Sequence, residues 1–144
     1  MLSIRNDNCI FRQTRYFVNV MLAEANTKLI AVVDDDELLR TALQRLLKSS
    51  GFAVRSFGSA EDLLKSGQLA DIACLIADIR MPGMSGLDLQ AKLNAESCAI
   101  PIIFITAHGD ERMRLEAMRG GAVAFLAKPF DSGILLDRVR AALG

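Results

Sequence analysis

Four positions along the chain combine the right residue types with telling placement. Asp34, Asp35 and Asp36 follow one apolar run, Asp78 ends a second, Thr106 closes a third, and Lys128 lies beyond a fourth, ahead of Pro129. Brought together, several carboxylates repel one another unless a cation neutralises them. Hard oxygen ligands of this kind suit a divalent ion, and Mg²⁺ favours a few carboxylates, water and phosphate oxygens. A carboxylate is also a competent nucleophile toward phosphorus, giving an aspartyl phosphate when charge on the transferring group is offset. A divalent ion and the Lys128 ammonium can share that task, and a Thr106 hydroxyl can donate to a phosphoryl oxygen. Each residue has a plainer reading. The three consecutive acids could cap a helix, although capping needs only one of them. Asp78 could be an ordinary turn residue, Thr106 a β-branched strand residue and Lys128 a solvated lysine.

The elements that would position these residues alternate regularly. The segment 29–33, Leu-Ile-Ala-Val-Val, is continuously apolar, as expected of a parallel strand covered on both faces. Leu39, Leu43, Leu46 and Leu47 then recur at helical spacing up to Ser49, with Gly51 placed to end the helix. A second strand spans 53–57. Ser59, with Asp62 three residues on, resembles a capping box opening a short helix that ends near Gly67. The third strand, 72–77, runs into Asp78, and a turn-rich segment leads to a helix over 87–95. A fourth strand spans 102–106 and a fourth helix 110–119, its acids first and Arg119 last, matching the macrodipole. A fifth strand over 123–126 and a final helix over 132–143 complete the series.

Five strand–helix units in series predict an α/β fold, a parallel sheet with right-handed crossovers and helices on both faces. Ligands in such sheets bind beyond the carboxyl ends of the strands. Asp34–Asp36, Asp78, Thr106 and Lys128 all fall at those ends, so the fold itself would gather them on one rim.

Composition excludes several classes of function. The 144 residues hold 17 Lys+Arg and 17 Asp+Glu. A net charge of zero and a pI near 6.6 argue against direct nucleic-acid binding through bulk electrostatics. Hydrophobic residues make up 51%, enough for a packed core. The clean apolar run 101–107 is far shorter than the ~20 residues a bilayer span needs, so no membrane is expected. Cys9, Cys74 and Cys98 are odd in number, widely spaced and without a CxxC, which points to a reducing, cytoplasmic setting and not to a disulfide framework or zinc site.

Residues 1–27 lack clear periodicity. Arg5, Arg12 and Arg15 before an apolar segment superficially suggest a secretory signal, but the segment is short, Asn19 interrupts it and Asp7 sits in the basic region. They read as an N-terminal extension, flexible or partly helical, or as the product of an upstream start codon with Met21 nearer the true beginning. Residues 28–144 read as one domain.

Four blocks in order resemble the motifs of response-regulator receiver domains: Val32-Val33-Asp34-Asp35-Asp36; Ala77-Asp78-Ile79-Arg80-Met81-Pro82-Gly83-Met84-Ser85-Gly86; Ile105-Thr106-Ala107; and Phe125-Leu126-Ala127-Lys128-Pro129-Phe130. The segment Thr106-Ala107-His108-Gly109-Asp110 looks most like the receivers of FixJ-type and NtrC-type transcriptional regulators. The resemblance implies a flavodoxin-like (CheY-like) sheet of order 2-1-3-4-5. It implies a two-component phosphorelay in which Asp78 accepts phosphate from a sensor histidine kinase or phosphotransfer protein. Asp34, Asp35, Asp78 and the Arg80 backbone carbonyl would hold Mg²⁺, or Mn²⁺ in its place. Thr106, Ala107 and Lys128 would contact the phosphate, and Thr106 with Phe125 would form a switch pair. A cis Lys128-Pro129 bond is implied, together with a homodimer through the last helices and strand. Such a chain is a switch and not a general enzyme, catalysing only its own phosphotransfer and dephosphorylation. Arg80 and His108 occupy variable positions beside the phosphorylation site.

Two rivals share parts of the pattern. Haloacid-dehalogenase-type phosphatases use an aspartyl phosphate with a D-x-D pair, which Asp34-x-Asp36 with Thr106 and Lys128 could imitate, but Leu38 stands where their Thr usually follows and Asp78 would be idle. A flavin or nucleotide carrier needs a loop of backbone N–H donors after the first strand, where three aspartates would repel phosphate. Deleting residues 1–27 is expected to leave the domain folded and responsive to phosphoryl donors. Loss of the cooperative unfolding transition in the truncated chain would contradict this division.

Overall fold

The computed structural model describes residues 28–107 and 109–144; the extension 1–27 and His108 lie outside them. Five parallel strands form one sheet: β1 (Leu29–Val33), β2 (Ala53–Phe57), β3 (Ile72–Ala77), β4 (Ile102–Thr106) and β5 (Ala124–Ala127), in spatial order β2-β1-β3-β4-β5. Five helices connect or follow them: α1 (Glu37–Ser49), α2 (Ala60–Lys65), α3 (Gly86–Ala95), α4 (Glu111–Arg119) and α5 (Ser132–Leu143).

The central strands are apolar on both faces because both faces are covered. Side-chain alternation divides them between two cores. Ala31, Val33, Leu75, Ala77, Ile102 and Phe104 pack toward Leu63 of α2, Leu89 and Leu93 of α3 and Ala117 of α4. Ile30, Val32, Cys74, Ile76, Ile103 and Ile105 pack toward Leu43 and Leu47 of α1 and Leu135 and Val139 of α5. Desolvation in this second core pushes the Cys74 thiol up to about 12, so it stays protonated and inert at neutral pH.

Capping explains the helix boundaries. Asp36 accepts from the Leu38 and Leu39 amides and starts α1 two residues before its leucine pattern begins. Asp110 is the cap of α4 and not its first helical residue, since its side chain accepts from Met113 N. Ser59 accepts from Asp62 N as expected, while the reciprocal capping box is at Ser85 and Asp88, opening α3. Strand β5 begins one residue later than the apolar run suggests: pairing starts at Ala124 opposite Ile103, and Val123 is exposed. A 3₁₀ turn over Leu69–Asp71 carries no signature in the sequence. Cys98 is disulfide-bonded, so a cysteine spacing that argues against a disulfide framework does not exclude a single bridge.

Phe104 is fully buried in the first core. Phe104→Ala is expected to cost about 3–5 kcal/mol, read as a lower midpoint in urea with an unchanged slope.

Candidate functional site

The site follows from strand register. Val33 of β1 pairs with Ala77 of β3, so the next residues, Asp34 and Asp78, emerge side by side at the carboxyl edge. The Asp78 amide donates to the Val33 carbonyl at 3.0 Å, joining the two strand ends. Both aspartates are buried, Asp34 2% exposed and Asp78 8%, whereas Asp35 is open to solvent. Carboxylate oxygens of Asp34, Asp35 and Asp78 lie within 4.8 Å of one another.

A single side chain bridges the two buried acids. Lys128, just past β5, places Nζ 3.1 Å from Asp34 Oδ2 and 2.9 Å from Asp78 Oδ2. Burial disfavours the ammonium charge, but hydrogen bonds to Asp78 and Asp34 outweigh it and hold the Lys128 pKa above its ordinary value. Burial pushes the Asp34 carboxyl up, opposed without being cancelled by the Asp36 N–H and Lys128. One ammonium against three carboxylates leaves the cluster short of positive charge. The donor set, three hard oxygens at this spacing, fits a divalent cation of the Mg²⁺ class.

Backbone groups fix the remaining lone pairs. Asp34 Oδ1 accepts the Asp36 amide at 2.9 Å, and Asp78 Oδ1 accepts the Arg80 amide at 3.2 Å. The consecutive acids thus divide their work: Asp36 caps α1, while Asp34 and Asp35 face Asp78. This division removes the D-x-D phosphatase arrangement, because Asp36 is exposed and committed to the Leu38 and Leu39 amides.

Thr106 ends β4, 1% exposed, and its carbonyl accepts the Lys128 amide at 2.9 Å. Ala107 beyond it is exposed, and Arg80 is exposed beside Asp78. The Lys128-Pro129 bond is cis. Phe125 is half-buried on β5. A Cβ built on Gly109 would lie 2.7 Å from the Thr106 methyl and 2.6 Å from the Phe125 ring, so both side chains press against the same bare Cα. Sequence reasoning singles out Thr106 and Phe125 but gives Gly109 no role.

It also misses Arg40, half-buried on α1, whose guanidinium donates to the Asp34 carbonyl at 2.7 Å. Gly58 lies beside that guanidinium, and a Cβ there would meet it at 3.5 Å, in ordinary van der Waals contact. Gly86 is constrained: a Cβ there would overlap the Asp78 carbonyl. No single-sequence pattern marks either contact, since both depend on tertiary approach.

Comparison with known proteins agrees with this geometry. Residues 30–140 match the response regulator receiver domain model. The chain belongs to the response regulator receiver domain family. It is 51% identical over 120 residues to nodulation protein W of Bradyrhizobium diazoefficiens, covering 83% of this chain and 53% of that protein. It is 45% identical over 115 residues to the transcriptional regulatory protein FixJ of Azorhizobium caulinodans, covering 80% of this chain and 54% of that protein. The receiver thus spans about half the length of these curated relatives. Among solved structures, FixJ-N superposes with a TM-score of 0.73 at 39% identity, covering 81% of this chain and 93% of that one. The response regulator StyR gives 0.76 at 47% identity, covering 81% of this chain and 59% of that one. The fold is the CheY-like receiver fold, the resemblance to FixJ-type regulators holds, and the phosphatase alternative finds no counterpart.

The raised Asp34 pKa has a definite sign. The native state holds that proton more tightly than the unfolded chain does. The group therefore favours folding in acid, and that contribution is lost as pH rises from the unfolded value of 3.8 through the folded one. In metal-free buffer at pH 7, Asp34→Asn is expected to raise the thermal midpoint by about 2–6 °C. The advantage should vanish below about pH 3.8, where both side chains are neutral. A lower midpoint at pH 7 would contradict the assignment.

Proposed function

We propose that Asp78 is the phosphoacceptor of a two-component relay, receiving a phosphoryl group from a sensor histidine kinase or a phosphotransfer protein. The observation that carries this is the Lys128 ammonium bridging Asp34 and Asp78 with Asp35 alongside. A carboxylate oxygen of Asp78 forms a bond to phosphorus as the phosphorus–nitrogen bond of the donor phosphohistidine breaks, and the bonding pair leaves with the imidazole. The acceptor is oriented before reaction, because the Arg80 amide and Lys128 occupy one oxygen each. Lys128 then offsets charge on the phosphoryl oxygens, the largest demand that phosphoryl transfer makes on a protein. Thr106 and the Ala107 backbone complete the phosphate contacts, and the small Ala107 side chain leaves the acyl phosphate accessible.

Asp34, Asp35, Asp78 and the Arg80 carbonyl would hold Mg²⁺, with Mn²⁺ able to substitute. The ion, when bound, neutralises the carboxylates and the incoming phosphate. Only the domain's own phosphotransfer and dephosphorylation are assigned to it. The setting proposed is the cytoplasm, where phosphohistidine donors are made from ATP. None of the described helices is long and apolar enough to cross a membrane.

The added phosphate brings about two units of negative charge to the rim. In the proposed switch, the Thr106 hydroxyl moves toward it and the Phe125 ring turns into the vacated space. The contact of both with Gly109 supports this coupling. The readout would be the surface of α4, β5 and α5, where Leu115, Met118 and Val123 are 37–39% exposed. That surface suits a homodimer or a downstream output domain, and the balanced charge of this segment gives it no direct part in DNA binding. By likeness to the transcriptional regulatory protein FixJ, the output proposed is transcriptional.

Beryllofluoride with Mg²⁺ is expected to shift amide resonances of the wild type at Thr106, Phe125 and α4, and to leave Asp78→Asn unchanged. An unshifted wild-type spectrum would contradict the proposal. Lys128→Met should bind Mg²⁺ yet accept phosphate from acetyl phosphate at least about 100-fold more slowly, as loss of one charge-stabilising group does elsewhere.

A further inference from the structure

The loop after Asp78 must present the Arg80 carbonyl, and two of its ties are internal. Arg80 N donates to Asp78 Oδ1 at 3.2 Å, and Gly86 N to the Ile79 carbonyl at 2.8 Å. A third tie comes from another element. Glu61, in the first turn of α2, accepts the Met84 amide through Oε2 at 2.9 Å, across 23 residues of sequence. The adjacent Gly83 adopts φ +77°, a conformation that favours glycine. A Cβ there would lie 2.6 Å from Glu61 Oε2 and 3.3 Å from Glu61 Cδ, so the carboxylate lies directly against the glycine backbone. The carboxylate thus packs against this glycine while it accepts the neighbouring Met84 amide. Consistent with a real bond, the Met84 amide holds the Glu61 carboxyl below the usual range.

We infer that Glu61 is a positioning residue for the cation site, clamping the loop that presents the Arg80 carbonyl next to Asp78. Glu61 touches neither the acids nor phosphate; it acts through the loop backbone. The inference rests on the cation reading given under Proposed function. A bland role is available, since an acid in the first turn also favours the helix dipole, but that role asks nothing of Met84.

Reach and charge can be separated by substitution. Glu61→Asp keeps the charge at the helix start but shortens the side chain by one methylene. Glu61→Gln keeps the reach and the acceptor oxygen and removes the charge. Calorimetric titration of Mg²⁺ into the full chain, with thermal midpoints measured in parallel, tests the two. Glu61→Gln is expected to bind Mg²⁺ within about twofold of the wild type, and Glu61→Asp and Glu61→Ala about three- to tenfold more weakly, the range expected for one lost hydrogen bond. The Arg80 amide resonance should move in the same two variants and hold in Glu61→Gln. A Glu61→Asp variant that binds like the wild type would overturn the inference, whatever happens to its midpoint. So would Glu61→Gln binding as weakly as Glu61→Ala, which would make the effect one of charge. Failure of the wild type itself to bind Mg²⁺ is a separate result, and it would overturn the cation reading together with the inference built on it.

Discussion

Two buried carboxylates at neighbouring strand ends create a charge problem that the surrounding residues are arranged to meet. Because β1 and β3 are paired in register, Asp34 and Asp78 cannot move apart without breaking the sheet. Their mutual repulsion is therefore fixed by topology and has to be met by cations. Lys128 supplies one, reaching across the end of β4 from β5 and anchored by its own amide on the Thr106 carbonyl. Asp35 adds further negative charge at the solvent side, which a lone ammonium cannot balance and a divalent ion can.

The same residues connect the rim to the helices around it. Arg40 ties the Asp34 backbone to α1, and Asp36 caps that helix. Glu61 ties the loop after Asp78 to α2. Thr106 and Phe125 meet over Gly109, between the acidic rim and α4. A change of charge at Asp78 thus has short physical routes outward, each made of a named hydrogen bond or a close contact. Gln90, buried on α3, donates to the Ala117 carbonyl of α4, and Asn94 donates to the Gly120 carbonyl at that helix's end. The helix α4 is consequently held at its base by its neighbour as well.

Much of this was legible in the sequence because the relevant signals are local. The doubly covered strands read as continuous apolar runs, and parallel topology alone carries Asp34, Asp78, Thr106 and Lys128 to one edge. The family motifs then supply the proposed roles of Arg80 and Phe125 and the cis bond before Pro129. What remained hidden depends on contacts between distant segments. Three consecutive aspartates look alike in a sequence, yet one caps a helix, one is buried against Lys128 and one faces solvent. Arg40 and Glu61 look like ordinary charged residues on helix surfaces. Their partners are main-chain groups, which leave no mark in a residue pattern. Val123 misled for the opposite reason: its amide donates to the Ile102 carbonyl, but its side chain is exposed and regular pairing starts one residue later.

The central claim is that Asp78, and no other carboxylate of the cluster, becomes an acyl phosphate. Borohydride reduces an acyl phosphate to the alcohol, turning a phosphorylated aspartate into homoserine, which peptide mass spectrometry can locate. After treatment with acetyl phosphate and Mg²⁺, homoserine is predicted at residue 78 and at no other aspartate, and it should disappear when the metal is chelated. Homoserine at residue 34, 35 or 36 instead, or none in the fully folded chain, would contradict the account.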